Sequence, residues 1–353
     1  MLQSLRVIDF RCFRALALEL GAPRIYLTGE NAQGKTSLLE AIAVAARLGS
    51  PRASRQRHIV REGADGCGVA LQTDSGLYKA VYQDRKFGLS LDGAPIKKRD
   101  YLAHSPRIVW MENRDLDLVR GSGERRRRYL DAIGSQLSPH YAQSLRDYTK
   151  ALRSRNALLK EQRSHERSFA AFTDLLITHG QTLVDYRQRI ITDLLPHIAL
   201  SHHTISADAE QFSIAYQPSA EALSMGVPAS LHADRALRQT TVGPHRDDFS
   251  VLVDQRPAAD FASEGQQRTL ALALRLGQGY LLQSHPGAEV LYLIDDVFGE
   301  LDARRRLALL QAFPSDAQAI FTTTQLNWGE VTGRVHELKG YELSKAGEAE
   351  RGL

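Results

Sequence analysis

The chain reads as an α/β nucleotide-binding fold of the phosphate-loop type whose sheet is divided by a long helical insertion. Three observations carry that reading. Gly29-Glu30-Asn31-Ala32-Gln33-Gly34-Lys35-Thr36 fits the pattern G-x-x-x-x-G-K-[ST] at every fixed position. Short alternating or apolar runs, the mark of strands, cluster before residue 92 and return after residue 248. Between Trp110 and about Leu200, apolar residues recur three and four apart in charged sequence, the mark of amphipathic helices.

Taken in order, Leu5 to Phe10, Ala15 to Leu20, Ile25 to Thr28, Gly68 to Gln72, Leu77 to Tyr82 and Phe87 to Leu91 read as strands. Lys35 to Arg47 reads as the helix leaving the phosphate loop. The helical block has Leu145, Tyr148, Leu152 and Leu175, Leu176, Leu183, Tyr186 at helical spacing, and carries no proline between Pro139 and Pro196. A loop is expected around Pro218 to Pro228. Phe249 to Val253 then alternates, Ser263 to Leu282 is a strong helix, Val290 to Ile294 a buried strand, Leu301 to Phe313 a helix and Ala319 to Thr323 a strand. The expected divisions are 1–110 for the first half of the nucleotide fold, 111–240 for the helical lobe and 241–353 for the second half.

Composition narrows the classes. The 353 residues are 43% hydrophobic, enough for more than one core, and the net charge is +4. Two cysteines, Cys12 and Cys67, make neither a disulfide framework nor a zinc site, so a reducing cytoplasmic setting is expected. The most apolar stretches, Leu38 to Leu48 and Leu270 to Leu282, are too short and too charged to span a membrane. Basic residues gather from Arg125-Arg126-Arg127-Arg128 through Arg146, Lys150, Arg153, Arg155, Lys160 and Arg163 to Arg167, which suggests a polyanion partner read through its backbone. The plain alternative for each of these is a solvated helix face.

The chemistry concentrates in three places. Backbone N–H groups of Gly29 to Gly34 and the positive end of the following helix face phosphates, Lys35 reaches the β/γ-phosphates, and Thr36, beside Ser37, offers a hydroxyl to Mg²⁺. The apolar strand 291–294 ends in Asp295, a candidate magnesium holder, and Asp296, a candidate for polarising the attacking water. Ser263 caps a helix whose first turn holds Gly265 and Gln266, a second anion-facing helix start. Asn-Lys-x-Asp, the guanine reader of GTPases, does not occur.

These three motifs, with Gly299-Glu300-Leu301-Asp302 after the carboxylates, resemble the ATP-binding-cassette heads of the SMC superfamily. More closely, the chain resembles the RecF family of bacterial recombination mediators. The matching stretches include Arg6 to Phe13, Asn31 to Ile42, Leu118 to Gly121, Arg126 to Asp131, Arg155 to Leu159 and Gly243-Pro244-His245-Arg246-Asp247-Asp248-Phe249. The resemblance implies an ABC-type ATPase head, with a mixed phosphate-loop sheet, flanking helices and an antiparallel β-subdomain, interrupted by a helical lobe. It implies an ATP-dependent homodimer in which Ser263, Gly265 and Gln266 close over the partner's γ-phosphate, with Asp302 communicating between sites. It also implies DNA binding at single-strand/double-strand junctions and on duplex, slow DNA-dependent ATP hydrolysis, work with RecR and RecO, and RecA loading in gap repair. Ala32 and Gly299 stand where the family usually has Gly and Ser, Thr324 where transporters carry a switch His, and Asn113 is the candidate for the glutamine-loop position. His245 and Arg246 read either as a structural turn or as a nucleotide or DNA contact. Trp110 and Trp328 read as core or interface residues. The competing readings are the ATPase subunit of a membrane transporter and a structural clamp that binds ATP without turnover.

Overall fold

A computed structural model describes residues 1–53, 55–161, 166–206, 211–324, 326, 332–339 and 342–343. The chain divides into two compact units, Met1–Arg114 with Gln283–Leu353, and Asp115–Leu282.

The first unit holds two six-stranded sheets. In one, the spatial order is Glu342–Leu343, Arg334–Lys339, Arg24–Thr28, Gln318–Thr322, Val290–Asp295, Arg107–Glu112, and the last five strands run parallel. Parallel strands covered on both faces need apolar residues throughout rather than alternation. Accordingly, Leu291, Tyr292, Leu293, Ile294 and Ala319, Ile320, Phe321 are wholly buried. The other sheet is antiparallel, in the order Phe13–Glu19, Leu2–Phe10, Cys67–Thr73, Gly76–Gln83, Lys86–Leu91, Ala94–Pro95. Asp84 and Arg85, both at positive φ, close the tight hairpin between two of its strands, matching the strand twist.

The helix Lys35–Arg47 is buried nearly all round, so its apolar run Leu38 to Ala46 joins both sheets in one core. One carboxylate sits in that run. Glu40 is fully buried, and it is tolerated because the Arg11 guanidinium grips it through Nε at 2.9 Å and Nη2 at 2.6 Å.

The second unit is built on Gly123–Leu137, Pro139–Lys160 and the 41-residue helix Glu166–Ser206, with a three-stranded antiparallel sheet of Phe212–Gln217, Asp248–Val253 and Arg256–Pro257. Ser138 caps the second helix, accepting from the Tyr141 N–H, and Pro139 opens it where a missing N–H costs nothing. The unit continues through the helix Glu264–Gln283, whose Leu270, Ala273 and Leu274 pack with Ile133, Leu194 and Phe249. That packing is why this unit ends at Leu282 and takes in the strand and helix after residue 240.

Several elements escaped the sequence reading. Arg107–Glu112, Phe212–Gln217 and Arg334–Lys339 are strands, Lys98–His104 is a helix, and the expected loop 218–228 contains the start of a helix at Leu223. No helix among the described residues is long and apolar enough to cross a membrane.

Candidate functional site: the phosphate loop and its carboxylates

The loop 29–34 leaves the strand Arg24–Thr28 and enters the helix at Lys35, at the carboxyl edge of the parallel sheet where α/β folds bind ligands. Its glycines are steric requirements. Gly29 has φ 141° and an added Cβ would lie 2.5 Å from the Leu338 carbonyl oxygen; Gly34 has φ 88° and a Cβ would strike the Phe13 ring at 2.5 Å. Ala32 also sits in the left-handed region, at φ 64°. An L-residue there carries a cost of about 1–2 kcal/mol that glycine avoids. Ala32→Gly is therefore expected to raise stability by about 1 kcal/mol and to keep ATP affinity; a lower unfolding midpoint would show that the loop conformation is not strained at this residue.

Gly34 caps the helix with no side-chain bond, which leaves first-turn N–H groups for an anion. The Lys35 ammonium is buried and donates to the carbonyl oxygens of Gly29 at 2.6 Å and Glu30 at 2.7 Å, curling the loop around itself. Burial lowers its pKa, and the nearby Asp296 and Asp295 carboxylates oppose that. Glu30, Asn31 and Ala32 are exposed; Gln33, Thr36 and Ser37 are half-buried.

Thr36 is where the two motifs meet. Its hydroxyl donates to Asp295 Oδ1 at 2.6 Å, across 259 positions of sequence. The same oxygen accepts from the Thr322 hydroxyl at 2.9 Å, and Thr322 Oγ1 in turn accepts from the Asp296 N–H at 2.9 Å. Thr322 was not singled out from sequence. It stands beside Asp295 in the parallel register, a pairing that only the sheet reveals. Asp296 leaves the strand at φ 53°. Burial raises the Asp296 pKa first, with Asp295 and Glu300 adding to it and Lys35 opposing. Asn113 Nδ2 donates to the Asp296 carbonyl at 3.2 Å.

Ser263 and Gln266 form a reciprocal capping box in the second unit. The Ser263 N–H donates to Gln266 Oε1 at 2.6 Å, and the Gln266 N–H donates to Ser263 Oγ at 3.3 Å. The Ser263 hydroxyl only accepts here, so among the described residues its proton is unused. Gly265 lies in the first turn, half-buried. Buried Gln267 ties that start down through three carbonyls, those of Ala258, Ala259 and Ala262. Asp302 caps the helix Ala303–Ala312, accepting from the Arg305 N–H at 2.8 Å. Thr324 is exposed, whereas Gln325, Trp328 and Arg163 lie outside the described residues.

A "DNA replication and repair protein RecF" from Acaryochloris marina is 36% identical over 348 residues, covering 92% of this chain and 93% of the relative. This chain belongs to the RecF family. A solved structure of the recombination mediator protein RecF with ATP superposes with a TM-score of 0.88 at 27% identity, over 98% of this chain and 97% of that one. The Smc head domain of Pyrococcus furiosus bound to the C-terminal domain of ScpA gives a TM-score of 0.55 at 14% identity, over 97% and 94% of the two chains, and shares the fold. The model of the AAA domain family matches residues 4–86, the segment containing the phosphate loop. The expected ATPase-head fold with an antiparallel β-sheet, a largely parallel sheet and many helices is the observed one.

For this RecF-family chain the Arg-rich block resolves into two kinds of residue. Arg126 forks onto Asp248 at 2.6 and 2.8 Å, Arg127 donates to the Asp247 carbonyl at 2.7 Å, Arg128 pairs with Glu124 at 2.5 Å and Arg125 lies 3.7 Å from Asp117. Arg155 is buried against Asp234. Arg125 and Arg128 make exposed surface pairs, whereas Arg126, Arg127 and Arg155 hold the unit together. His245 does likewise: its Nδ1 meets the Tyr148 hydroxyl at 2.6 Å and its Nε2 the Thr240 carbonyl at 3.0 Å, and burial lowers its pKa, so it is a neutral structural link. Arg246, beside it, is exposed.

Proposed function

We propose that this chain is an ATP-driven homodimeric clamp of recombinational gap repair. It engages DNA near single-strand/double-strand junctions, hydrolyses ATP slowly in a DNA-dependent way, and acts with RecR and RecO to promote RecA loading. The observation that carries the ATPase part is the Thr36–Asp295 bond, which puts a hydroxyl and a carboxylate on one point at the helix start. Family membership supports the repair role, and the ATP-bound relative's solved structure, described as part of the RecFOR pathway, supports the nucleotide.

The residues fit magnesium. Thr36 and Asp295 supply two oxygen donors, and Mg²⁺ takes its remaining positions from phosphate oxygens and water. Bound there, it would neutralise charge on the β- and γ-phosphates. Lys35 would hold the same phosphates, and Asp296, with its shorter reach than a Glu, would orient and polarise the water. The unused Ser263 proton would bond the γ-phosphate held by a second copy, with Gly265 and Gln266 beside it. ATP then favours the closed dimer because those contacts exist in only one state, and hydrolysis reopens it.

The test is molar mass by light scattering without nucleotide, with ADP, and with ATP and Mg²⁺, repeated with gapped DNA. A dimer formed only with ATP and stabilised by DNA is expected; a monomer throughout overturns the clamp. Ser263→Arg is expected to leave ATP affinity unchanged and to weaken dimerisation about tenfold or more, because bulk and charge enter the closing surface. An unaltered dimer would refute the role of Ser263 across the interface. If DNA never raises turnover and Asp296→Asn matches wild type, the chain is a clamp without meaningful hydrolysis. Indifference to DNA together with capture of a membrane partner would restore the transporter reading.

A further inference from the structure

We infer that the outer face of the helix Pro139–Lys160 is a docking surface for the phosphate backbone of duplex DNA, with Arg146, Lys150, Arg153 and Lys160 as its contacts. The inference rests on the DNA-binding reading above and names where on this chain the duplex sits.

The exposed residues of this helix are Pro139, His140, Gln143, Arg146, Lys150, Arg153, Ala157 and Lys160. Four are permanent cations and none is acidic. At 3.6 residues per turn those four fall within about 80° of one another, and at 1.5 Å per residue they extend over about 21 Å. They form one stripe along the axis.

Some arginines of other helices have a carboxylate one turn away: Arg128 with Glu124, Arg268 with Glu264, Arg305 with Asp302. Among the described residues the stripe has no such partner. Asp147, the one carboxylate on this helix, accepts from Gln143 Nε2 at 2.7 Å, and Arg146 donates to Gln143 Oε1 at 2.6 Å. Among the described residues Lys150, Arg153 and Lys160 have no ion pair. Like charges at i,i+3 and i,i+4 repel, so the helix is held under an electrostatic load that an external anion relieves. A line of cations rather than a cluster suits a linear polyanion, and duplex DNA presents one charge per about 3.4 Å along each strand. A membrane surface fits less well, because no large apolar side chain is exposed on this helix for insertion.

The experiment compares the whole chain with Arg146→Ala/Lys150→Ala/Arg153→Ala and with a charge-matched control, Lys97→Ala/Lys98→Ala/Arg99→Ala, whose side chains are also exposed. Binding to a fluorescent duplex and to gapped DNA is measured from low to high salt. The stripe variant is expected to bind about a hundredfold more weakly near physiological salt, with the log–log salt slope reduced by about 2.7, at 0.9 for each phosphate that is no longer neutralised. The control keeps the wild-type slope. ATP affinity and thermal midpoint of the stripe variant match wild type, because alanine favours helix and the side chains are solvated. If wild type binds duplex and the stripe variant binds it equally well, the docking surface is overturned while the DNA-binding reading stands, and an acidic protein becomes the partner to seek. An equal loss in the control overturns it too, as an effect of net charge alone. If wild type ignores DNA at every salt concentration, both fall together.

Discussion

Lys35→Ala is expected to abolish ATP binding at accessible concentrations, a loss of at least about 3 kcal/mol or more than about a hundredfold, since a buried charge-assisted contact to phosphate is removed. Lys35 is 8% exposed as a residue, and its ammonium is held among two carbonyl oxygens and within the field of two carboxylates. Lys35→Arg is expected to fail as well, because a planar guanidinium does not fit where a point charge meets the Gly29 and Glu30 carbonyls at 2.6 and 2.7 Å. The measurement is titration with a fluorescent ATP analogue beside a thermal melt of the apo protein. Melting should change by less than about 1 kcal/mol, since the lost carbonyl bonds are offset by removing a desolvated charge. ATP affinity equal to wild type in Lys35→Ala would sink the assignment of 29–36 as the phosphate loop.

What was legible in the sequence was what local pattern encodes. The loop, its entering strand and leaving helix, the strand ending at Asp295 and the helix opening at Ser263 each declare themselves within a dozen residues. The strands Arg107–Glu112 and Arg334–Lys339 did not. The first is a short apolar run beside helical sequence, where periodicity cannot separate strand from helix. The second is largely polar, and becomes a strand by pairing in parallel beside Arg24–Thr28. Register was equally hidden. The sequence drew attention to Thr324 rather than Thr322, and the place of Thr322 beside Asp295 follows from two strands lying side by side. The Arg-rich block was only partly legible for a related reason. A run of arginines reads as a surface for polyanions until their partners are known, and Arg126 finds Asp248, 122 positions away.

Arg155→Ala is expected to cost about 3–5 kcal/mol, because it leaves a buried carboxylate without its counter-ion. Arg155 and the surface residue Arg153 are two positions apart on one helix, about 200° around its axis, and their fates are opposite. Arg153 faces water. Arg155 is 1% exposed; its Nη1 donates to Asp234 Oδ2 at 2.8 Å and to Thr240 Oγ1 at 2.7 Å, its Nε to Thr173 Oγ1 at 3.0 Å, and its guanidinium lies 4.6 Å from the Phe169 ring centroid. Asp234 is wholly buried and also accepts from the Thr241 N–H at 2.8 Å and hydroxyl at 2.6 Å, so it ties the helix 231–237 to the turn at 240. Alanine removes the only cation paired with that carboxylate among the described residues. Against a typical margin of about 5–15 kcal/mol, a loss of this size makes the second unit marginal. Lysine is no substitute, since one ammonium cannot reach Asp234, Thr240 and Thr173 in the fork geometry. Urea unfolding of wild type, Arg155→Ala, Arg155→Lys and Arg153→Ala separates the cases: the first two variants lose stability and Arg153→Ala stays within about 0.5 kcal/mol of wild type. A loss below about 1 kcal/mol in Arg155→Ala would mean that water reaches Asp234 at little cost. The buried pair would then not be what fixes this end of the helix.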